Sequence, residues 1–530
     1  MAGSKRRKWF IAAVILTVAV AVSLWIAAVR IRERFEPFIR AQAVAWLEQR
    51  FHADVELASL RIHIPAISPL KMLFTRGSGT FAKVEGSGLQ LRQKADTRYP
   101  PFLKLNYFSF SIDLGAVFES PKHIDRITLS GMQIAIPPRR EQTSREDDGS
   151  STSDVMIGEI TATDAHLTIL PKQAGKEPLR FDIASLLLKS VGKETAMQYQ
   201  AVLTNPKPAG LIHSTGSFGP WDADEPGDTP LNGHYVFEHA DLSVFSAIAG
   251  MLHSTGDFKG TLSAISARGS ADVPDFRLKI SGNRVPLFTT FEVLVDGGNG
   301  NTVLKPVQAI LGSTKFTTSG AVIKHEGDPR RSIALDVEMP AGNLQDVLRL
   351  AMKDTPFMEG TLALKTRIVL PPLTGTVKEK LILSGRFNIH NGRFLRSAMQ
   401  SKIDALSRRG QGQPENEEIT EVFSNMSGTF HMEDEAIRFR TLTFSTPGAD
   451  IKLAGTYDLR KDALDFHGSL KLRARISETM TGWKRWALKP IDPFFAKNGA
   501  GTFLRIRIEG SSKSPDFGLD HGRDTTSTSR

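Results

Sequence analysis

The feature that most constrains this chain is the alternation of apolar and polar residues that runs through most of it after residue 50. It is clear in VELASLRIHI from Val55, FLKLNYFSFSIDL from Phe102, ITLSGMQIAI from Ile127, IALDVEM from Ile333 and TLALKTRIVL from Thr361. Successive side chains of a strand point to opposite faces, so the pattern predicts strands with one polar and one apolar face. Antiparallel sheets have this arrangement. We therefore expect a mainly β protein built on a repetitive antiparallel β-sheet.

The first forty residues contain an uncharged apolar run, WFIAAVILTVAVAVSLWIAAV, from Trp9 to Val29. A helix of this length crosses a hydrocarbon core of about 30 Å, whereas the apolar region of a cleaved signal peptide, the alternative, normally has only about 7 to 15 residues. We expect an uncleaved, single-pass anchor. The basic leader at residues 5–8 favours a cytoplasmic N-terminus, although Arg30, Arg32 and Arg34 reduce the charge asymmetry. The bulk of the chain is therefore expected in the periplasm.

The charge and the cysteine content exclude some classes of function. The chain has 530 residues and a formal net charge of +10, but residues 1–40 alone hold eight Lys or Arg against Glu33 and Glu36. The remaining charge is thinly spread and gives no focused field for a phosphate backbone, so we expect no nucleic-acid partner. The absence of cysteine excludes disulfides and thiolate metal sites. The length indicates either several domains or one elongated, repetitive body.

An amphipathic helix is predicted between the anchor and the first strand, from about Glu33 to Arg50. Apolar residues recur there at helical spacing: Phe35, Phe38, Ile39, Ala43, Trp46, Leu47 and Phe51. The helix should pack on the strands that follow it.

A second recurrent pattern is a glycine followed two residues later by a large apolar residue, as in Gly216/Phe218, Gly256/Phe258, Gly360/Leu362, Gly428/Phe430 and Gly455/Tyr457. It predicts turns or bulges at strand starts, after which the apolar residue begins the buried face. The repeated motifs HSTGSF from His213 and HSTGDF from His253 belong to this pattern, and we interpret their serines as turn residues. A longer internal repeat consists of two similar segments, DLSVFSAIAGMLHSTGDFKGTL from Asp241 and NLQDVLRLAMKDTPFMEGTL from Asn343. It predicts two related modules, each with one short helix.

No constellation in the sequence indicates an enzyme, a metal site or a cofactor site. The His-Ser pairs lack the Gly-x-Ser-x-Gly elbow, and neighbouring residues of a strand point to opposite faces. The same geometry separates His234 from His239. Glu415, Glu417 and Glu418 lack calcium-loop spacing and are interpreted as a solvated loop. We expect no catalytic residues, no metal and no cofactor.

Apolar side chains on the predicted strands form the strongest candidate site. Phenylalanine is abundant while tyrosine and tryptophan are scarce, so the aromatic side chains on these faces have few O–H or N–H groups that need a hydrogen-bond partner. Two interpretations are open: the faces pack on one another as sandwiches, or they line a groove that holds lipid chains. The groove candidates are Leu362, Leu364, Leu381, Leu383, Phe387, Ile389, Phe439, Leu442, Phe444, Ile451, Leu453, Leu464, Phe466, Leu470 and Leu472.

The segment GWKRWALKPIDPFF from Gly482 has the composition of an element at a membrane interface. A short helix that caps the open end of the sheet is the other interpretation. The candidates for membrane contact are Trp483, Lys484, Arg485, Trp486, Phe494 and Phe495.

Both ends of the chain resemble AsmA-like proteins. At the N-terminus the resemblance rests on the basic leader, the anchor and helix, and then RFHADVELASLRIHI, PPFLKLNYFSFSIDL and PKHIDRITLSGMQIAIPP. At the C-terminus it rests on FHMEDEAIRFRTLTFSTPGADIKLAGTYDLRKDALDFHGSLKL and KPIDPFFAKNGAGTFLRIRIEGSSKSPDFGLD. The resemblance covers about half of the chain. It implies a periplasmic region anchored in the inner membrane, with an elongated, curved antiparallel sheet and a hydrophobic groove. Larger relatives are implicated in moving phospholipid towards the outer membrane.

The resulting division of the chain is a cytoplasmic leader at 1–8, an anchor at 9–29, an N-terminal AsmA-like region at 33–140, a disordered loop at 141–154, central β repeats at 155–375, a C-terminal AsmA-like region at 376–510 and a disordered tail at 511–530. The expected function is phospholipid binding and transfer in outer-membrane homeostasis, with the membrane and phospholipid as partners. The alternative is an envelope assembly or scaffold factor that binds outer-membrane protein precursors at a sheet edge. Other envelope proteins are further expected partners.

Overall fold

The computed structural model describes residues 37, 39–49, 51, 53–63, 65, 79–93, 99–113, 115, 122–136, 155–170, 178–192, 195–222, 225–297, 300–325, 330–372, 375–482, 484, 489 and 501–520. The predicted leader, anchor and loop at 141–154 lie outside the described residues, as do all the membrane-contact candidates except Lys484, which is exposed. No helix within the described part of the chain has the length and apolar character needed to cross a membrane.

The protein is mainly β, with 64% of the residues that the structure describes in strands. In chain order the strands are β1 Ala53–His63, β2 Phe81–Gln93, β3 Leu103–Asp113, β4 Lys122–Ile136, β5 Val155–Ile169, β6 Leu179–Val191, β7 Met197–Pro206, β8 Ala209–Phe218, β9 Pro230–Asp241, β10 Ile248–Ala249, β11 Met251–Thr261, β12 Ala264–Val273, β13 Arg277–Leu278, β14 Leu287–Asp296, β15 Thr302–Leu311, β16 Thr314–Lys324, β17 Arg331–Asn343, β18 Met358–Leu370, β19 Ile382–Phe394, β20 Ser424–Glu433, β21 Ala436–Thr446, β22 Ala449–Asp458, β23 Ala463–Leu472, β24 Thr502–Gly510 and β25 Pro515–Leu519.

Within the described residues the helices are few and short, as predicted. The N-terminal helix, α1, covers the described residues 39–49. The others are α2 Leu344–Ala351, α3 Val377–Lys380 and α4 Ser397–Gly410, with 3-10 turns at Pro226–Asp228, Leu242–Val244 and Ile476–Thr479. The Asn343 side chain caps α2 by accepting a hydrogen bond from Gln345 N.

The chain divides into two compact units. Unit 1 comprises Met1–Phe237, Asp257–Ile265 and Asp296–Asn299, and unit 2 comprises Glu238–Gly256, Ser266–Val295 and Gly300–Arg530. Within unit 1, β1 to β8 pair in chain order. Within unit 2, β14 to β25 also pair in chain order, always antiparallel.

One pair of strands departs from the predicted antiparallel sheet. β4 and β5 run parallel, with Ile127 beside Ile160 and Leu129 beside Ala162. A parallel pair needs a crossover of about a dozen residues or more, and a two-residue hairpin cannot supply one. The long stretch between Ile136 and Val155 has the required length, so the sheet is mixed.

Two further expectations are corrected. The tail predicted as disordered from residue 511 contains β25, because Phe517 and Leu519 continue the alternation and pair with Ile508 and Ile506 of β24. The two segments of the longer internal repeat, from Asp241 and from Asn343, also differ in secondary structure. α2 is a helix as predicted, but where the first segment was expected to have its helix, after Asp241, it has the 3-10 turn Leu242–Val244 and no α-helix.

Unit 1 has the more completely buried core. It is formed by β1 to β6 and includes Leu57, Leu60, Val84, Leu91 and Leu105, all less than a tenth exposed. Ile39, Val44, Leu47 and Phe51 pack against this core. The prediction that the amphipathic helix covers the first strands is therefore confirmed.

Candidate functional site

The predicted groove residues of β18 to β23 fall on one face of the unit 2 sheet. Directly opposed residues of antiparallel neighbours point to the same side, and the register places these residues in rows that cross six strands. Four rows carry them: Leu362, Ile389, Met426, Phe444, Ile451 and Leu470; Leu364, Phe387, Gly428, Leu442, Leu453 and Gly468; Thr366, Gly385, Phe430, Phe439, Gly455 and Phe466; Ile368, Leu383, Met432, Ile437, Tyr457 and Leu464. We call these rows the apolar face.

Two of the predicted residues lie at the margins of the apolar face. Leu472 opposes Ala449 at the end of β23, and it is buried. Leu381 precedes β19, and its N–H closes α3 by donating to Val377 O. The structure therefore places Leu381 in a connection, outside the strand to which its neighbours Leu383 and Phe387 belong.

Burial varies across the apolar face. The row nearest α2 and α4 contains Leu362, Ile389 and Phe444, which are 5%, 7% and 9% exposed. In the next row Leu364, Phe387, Leu442 and Leu453 are half-buried. The α2 side chains Leu344, Val347 and Leu348 pack at the end of this face with Met339 and Met358. The helices therefore shield one margin of the face, while its middle stays partly open.

Glycines on the apolar face leave room for the aromatic rings of neighbouring strands. Gly428 lies beside Phe387, where an added Cβ would stand 3.0 Å from a ring carbon. Gly455 opposes Phe466 in the register. These residues lie inside strands, so the prediction that such glycines mark strand starts is wrong for them. Gly360 fits the prediction, because it has φ of +149° at a register shift between β18 and β19.

Aromatic rings fill the space beside these glycines. The ring centroids of Phe387 and Phe430 are 6.3 Å apart, and those of Phe439 and Phe466 are 5.7 Å apart. The opposite face of the same strands is polar and includes exposed Lys365, Arg367 and Arg386. The two faces therefore differ in chemistry along the whole length of β18 to β23.

A second apolar site lies in unit 1, where the sequence analysis placed no candidate. It is a cavity of about 260 Å³ between α1 and β1 to β5, which we call the N-terminal cavity. The residues that line it are Ile39, Gln42, Ala43, Trp46, Leu47, Leu57, Leu60, Ile62, Ala82, Val84, Leu89, Leu105, Phe108, Phe110, Ile112, Ile124, Ile127, Leu129, Val155 and Ile157. The signals for it were present, because a predicted amphipathic helix preceded predicted strands with one apolar face.

The repeated His-Ser motifs lie inside strands, so their interpretation as turns is wrong. His213 is exposed and Ser214 is buried, on opposite faces of β8. The Ser214 hydroxyl donates to His234 O at 3.2 Å and lies 3.0 Å from the Tyr199 hydroxyl, whose pKa is raised by burial. In β11, the Ser254 hydroxyl donates to Ser270 O at 2.8 Å. Both serines satisfy backbone carbonyls of neighbouring strands.

The other histidines and acids weighed in the sequence have ordinary polar contacts. His234 Nδ1 lies 3.0 Å from Asp257 Oδ1 in unit 1, and the rings of His239 and His253 are in edge contact in unit 2. Glu415, Glu417 and Glu418 are exposed in the connection between α4 and β20, as predicted.

One group of side chains on the polar face has the composition of a metal site. Ligand atoms of Asp465, His467 and Glu509 lie within 4.8 Å of one another. His467 Nε2 contacts Asp465 Oδ1 at 3.0 Å, and Nδ1 contacts Asp520 Oδ2 at 3.2 Å. The Asp520 hydrogen bond raises the pKa of His467. Both ring nitrogens are engaged with carboxylates, so this arrangement suits a protonated imidazole that holds the end of β25.

Comparison of the chain with models of known protein families, with curated proteins and with solved structures finds no significant match.

Proposed function

We propose that this chain is an inner-membrane-anchored, periplasmic lipid-binding protein that takes part in phospholipid transfer, with acyl chains carried on the apolar face of unit 2. The observation that supports this most strongly is the continuity of that face. Its rows cross six strands in register, and with strands about 4.8 Å apart each row extends over about 24 Å.

The partial exposure of the face is the second support. Leu364, Phe387, Leu442 and Leu453 are neither buried nor fully exposed, which leaves apolar area available to a ligand. Each methylene group that leaves water contributes about 0.8 kcal/mol, so an acyl chain gains binding energy there without specific hydrogen bonds. Contiguous apolar patches on a soluble protein indicate an interaction site.

The resemblance to AsmA-like proteins remains part of this proposal. It supplies the membrane assignment through the basic leader and the apolar run at 9–29, and it favours outer-membrane homeostasis as the process served. The N-terminal cavity adds a second volume lined by apolar side chains.

A matched pair of substitutions tests the proposal. Leu453→Asp places a carboxylate in the middle of the apolar face, and Ala454→Asp places the same group on the exposed, opposite side of the same strand. We expect Leu453→Asp to lose most binding of a fluorescent phospholipid and Ala454→Asp to retain it. Phe387→Asp should behave as Leu453→Asp does. Equal binding by all three variants, each with an intact far-UV spectrum, would remove the apolar face as the site.

A second candidate function, the binding of precursor strands by an envelope assembly factor, is supported by β25. Within the described residues this strand pairs only with β24, and Phe517 and Leu519 are 57% and 50% exposed. An open edge with exposed apolar side chains can accept a further strand. Crosslinking from Phe517 to unfolded β-barrel precursors, with no lipid bound to the purified protein, would favour this function over lipid transfer.

A further inference from the structure

One end of the unit 2 strands is bordered by helices and long connections that hydrogen bonds join into a continuous rim. We call residues 242–249, 274–286, 344–357, 395–423 and 473–480 the helical rim. The bonds that link successive parts of it run from Lys279 Nζ to Ser243 O (2.8 Å), from Asn283 Nδ2 to Met352 O (2.7 Å), from Leu395 N to Phe357 O (2.9 Å) and from Ala474 N to Gly410 O (3.0 Å).

The helical rim displays large apolar side chains. Val244 and Ile280 are each 46% exposed, Leu395 is 43% exposed and Phe423 is 58% exposed. The opposite ends of the same strands differ: within the described connections 375–381, 434–435, 459–462 and 511–514, no large apolar side chain is exposed. Among the described connections of unit 2, exposed large apolar side chains therefore lie on the helical rim and not at the opposite strand ends.

Basic residues flank two of these apolar residues, because Lys279 precedes Ile280 in the chain and its Nζ donates to the carbonyl of Ser243, beside Val244. Lys279, Arg284, Arg349 and Lys353 are all exposed, and the Asn283 amide, which also donates to Arg349 O and Lys353 O, brings the connection 274–286 against the end of α2. We call these four residues, with Val244 and Ile280, the cationic patch.

The acidic residues near the cationic patch are largely engaged elsewhere. Asp241 accepts from Ser243, Asp275 accepts from Met251 N and Arg277, and Asp346 accepts from Ser313 and Thr314. Asp354 is the exposed acid beside the patch. Asp275 is paired with Arg277, whereas Asp241, Asp346 and Asp354 keep their negative charges, so the four cations of the patch exceed these three carboxylates by one charge.

We propose that the cationic patch docks unit 2 on the surface of an anionic lipid bilayer. Each Lys or Arg near such a surface contributes about 1 kcal/mol, and aliphatic side chains between the cations gain further by entering the headgroup region. A nucleic-acid backbone would attract the charges but would leave Val244 and Ile280 in water. The proposal goes beyond the proposed function, because headgroup contact at the helical rim does not require acyl chains on the apolar face.

A single fluorescent label tests the docking. The chain contains no cysteine, so Ile280→Cys provides one attachment site for an environment-sensitive dye, and Ser512→Cys provides a control at the opposite strand ends. The full-length protein is reconstituted in vesicles of phosphatidylcholine alone or of phosphatidylcholine with phosphatidylglycerol. We expect a blue shift and brighter emission at position 280 only in the anionic vesicles, with loss of both at high salt, and no change at position 512.

Charge reversal separates docking from a general effect of lipid. Arg284→Glu/Arg349→Glu/Lys353→Glu should abolish the shift at position 280. Lys452→Glu/Lys461→Glu/Lys513→Glu, which makes the same change of net charge elsewhere in unit 2, should leave it intact. Equal shifts in both lipid mixtures, a shift that survives the first triple substitution, or a shift caused by duplex DNA and not by anionic vesicles would each overturn the proposal. Failure here would leave phospholipid binding by the apolar face unaffected, so the two proposals fail separately.

Discussion

Units 1 and 2 use the same alternation of apolar and polar residues but cover their apolar faces differently. In unit 1, α1 packs on the core formed by β1 to β6, in which Val84 and Leu91 are 2% and 0% exposed. In unit 2, α2 and α4 lie at the strand ends, and Leu442 and Leu453 in the middle of the sheet stay half-buried. Alternation decides which face of a sheet is apolar, whereas the position of an amphipathic helix decides whether that face is closed.

The comparison predicts unequal costs for the same truncation. Leu89→Ala in unit 1 should lower the free energy of local opening of β1 to β3 by about 2–5 kcal/mol, because a buried leucine leaves a cavity. Leu453→Ala in unit 2 should cost about 1 kcal/mol in β21 to β23, because its side chain is already partly hydrated. Hydrogen exchange read by peptide mass spectrometry gives both values. Equal costs would show that the two faces are equally closed.

Detaching α1 from the core of unit 1 should leave the apolar face of that unit partly open, as the apolar face of unit 2 is. Leu47→Asp disrupts the apolar contact of α1 with the core and should cost about 1.5–3 kcal/mol of local stability. We expect the N-terminal cavity to open and to bind an apolar dye. Ala45→Asp, on an exposed position of the same helix, is the control and should leave dye binding unchanged. Dye binding that is the same in both variants would contradict the role of α1 as a cover.

The helix α4 is fastened in another way, by buried polar groups. Asp404 Oδ1 accepts from Val422 N at 3.0 Å and from Gln400 Nε2 at 2.8 Å, and Asp404 is only 6% exposed. Asp404→Ala leaves both donors without this acceptor and should cost about 1–3 kcal/mol. The exposed Glu417→Ala should cost almost nothing. Faster hydrogen exchange in 411–423 for the first variant alone is the expected result, and its absence would show that Asp404 does not hold this connection.

The smallest predicted effect concerns pH and the last strand. The pKa of His467 is raised, first by its hydrogen bond to Asp520, so its contribution to stability is full below about pH 6.5 and is lost as pH rises through the folded-state value. His467 is half-exposed, so solvent screening limits the effect to a few tenths of a kcal/mol, about the size of a surface ion pair. After correction for intrinsic rates, amides of β25 should exchange more slowly at pH 6 than at pH 8. Asp520→Asn should remove most of this difference, and an unchanged difference would assign it to other groups.

Much of the strand pattern was predictable from the sequence because burial on one side imposes a period of two. The predicted strands from Val55, Phe102, Ile127, Ile333 and Thr361 are all present. The period hides bulges, however: a register shift between Phe439 and Leu442 puts an odd and an even position on the same face. Nor does local alternation show which strands pair across a long connection, which is why the parallel pair β4–β5 was not predicted.

The candidate site was predicted in part for the same reason. Residues such as Phe387 and Leu453 were identified by alternation, and the register brings them onto one face. The role of Gly428 was missed, because the fit of a missing side chain to the Phe387 ring depends on the neighbouring strand. The N-terminal cavity was missed because it forms only when α1 is placed against five strands, β1 to β5, that lie far apart in the sequence between Ala53 and Ile169.

The measurement that tests the central claim most directly is mass spectrometry of organic extracts from the chain without its predicted anchor, from Arg32 to Arg530, purified in the absence of detergent. A parallel extract from a mock purification gives the background. The account predicts phospholipid in stoichiometric amount. Lipid at the background level would contradict it and would mean that the apolar face of unit 2 does not carry acyl chains.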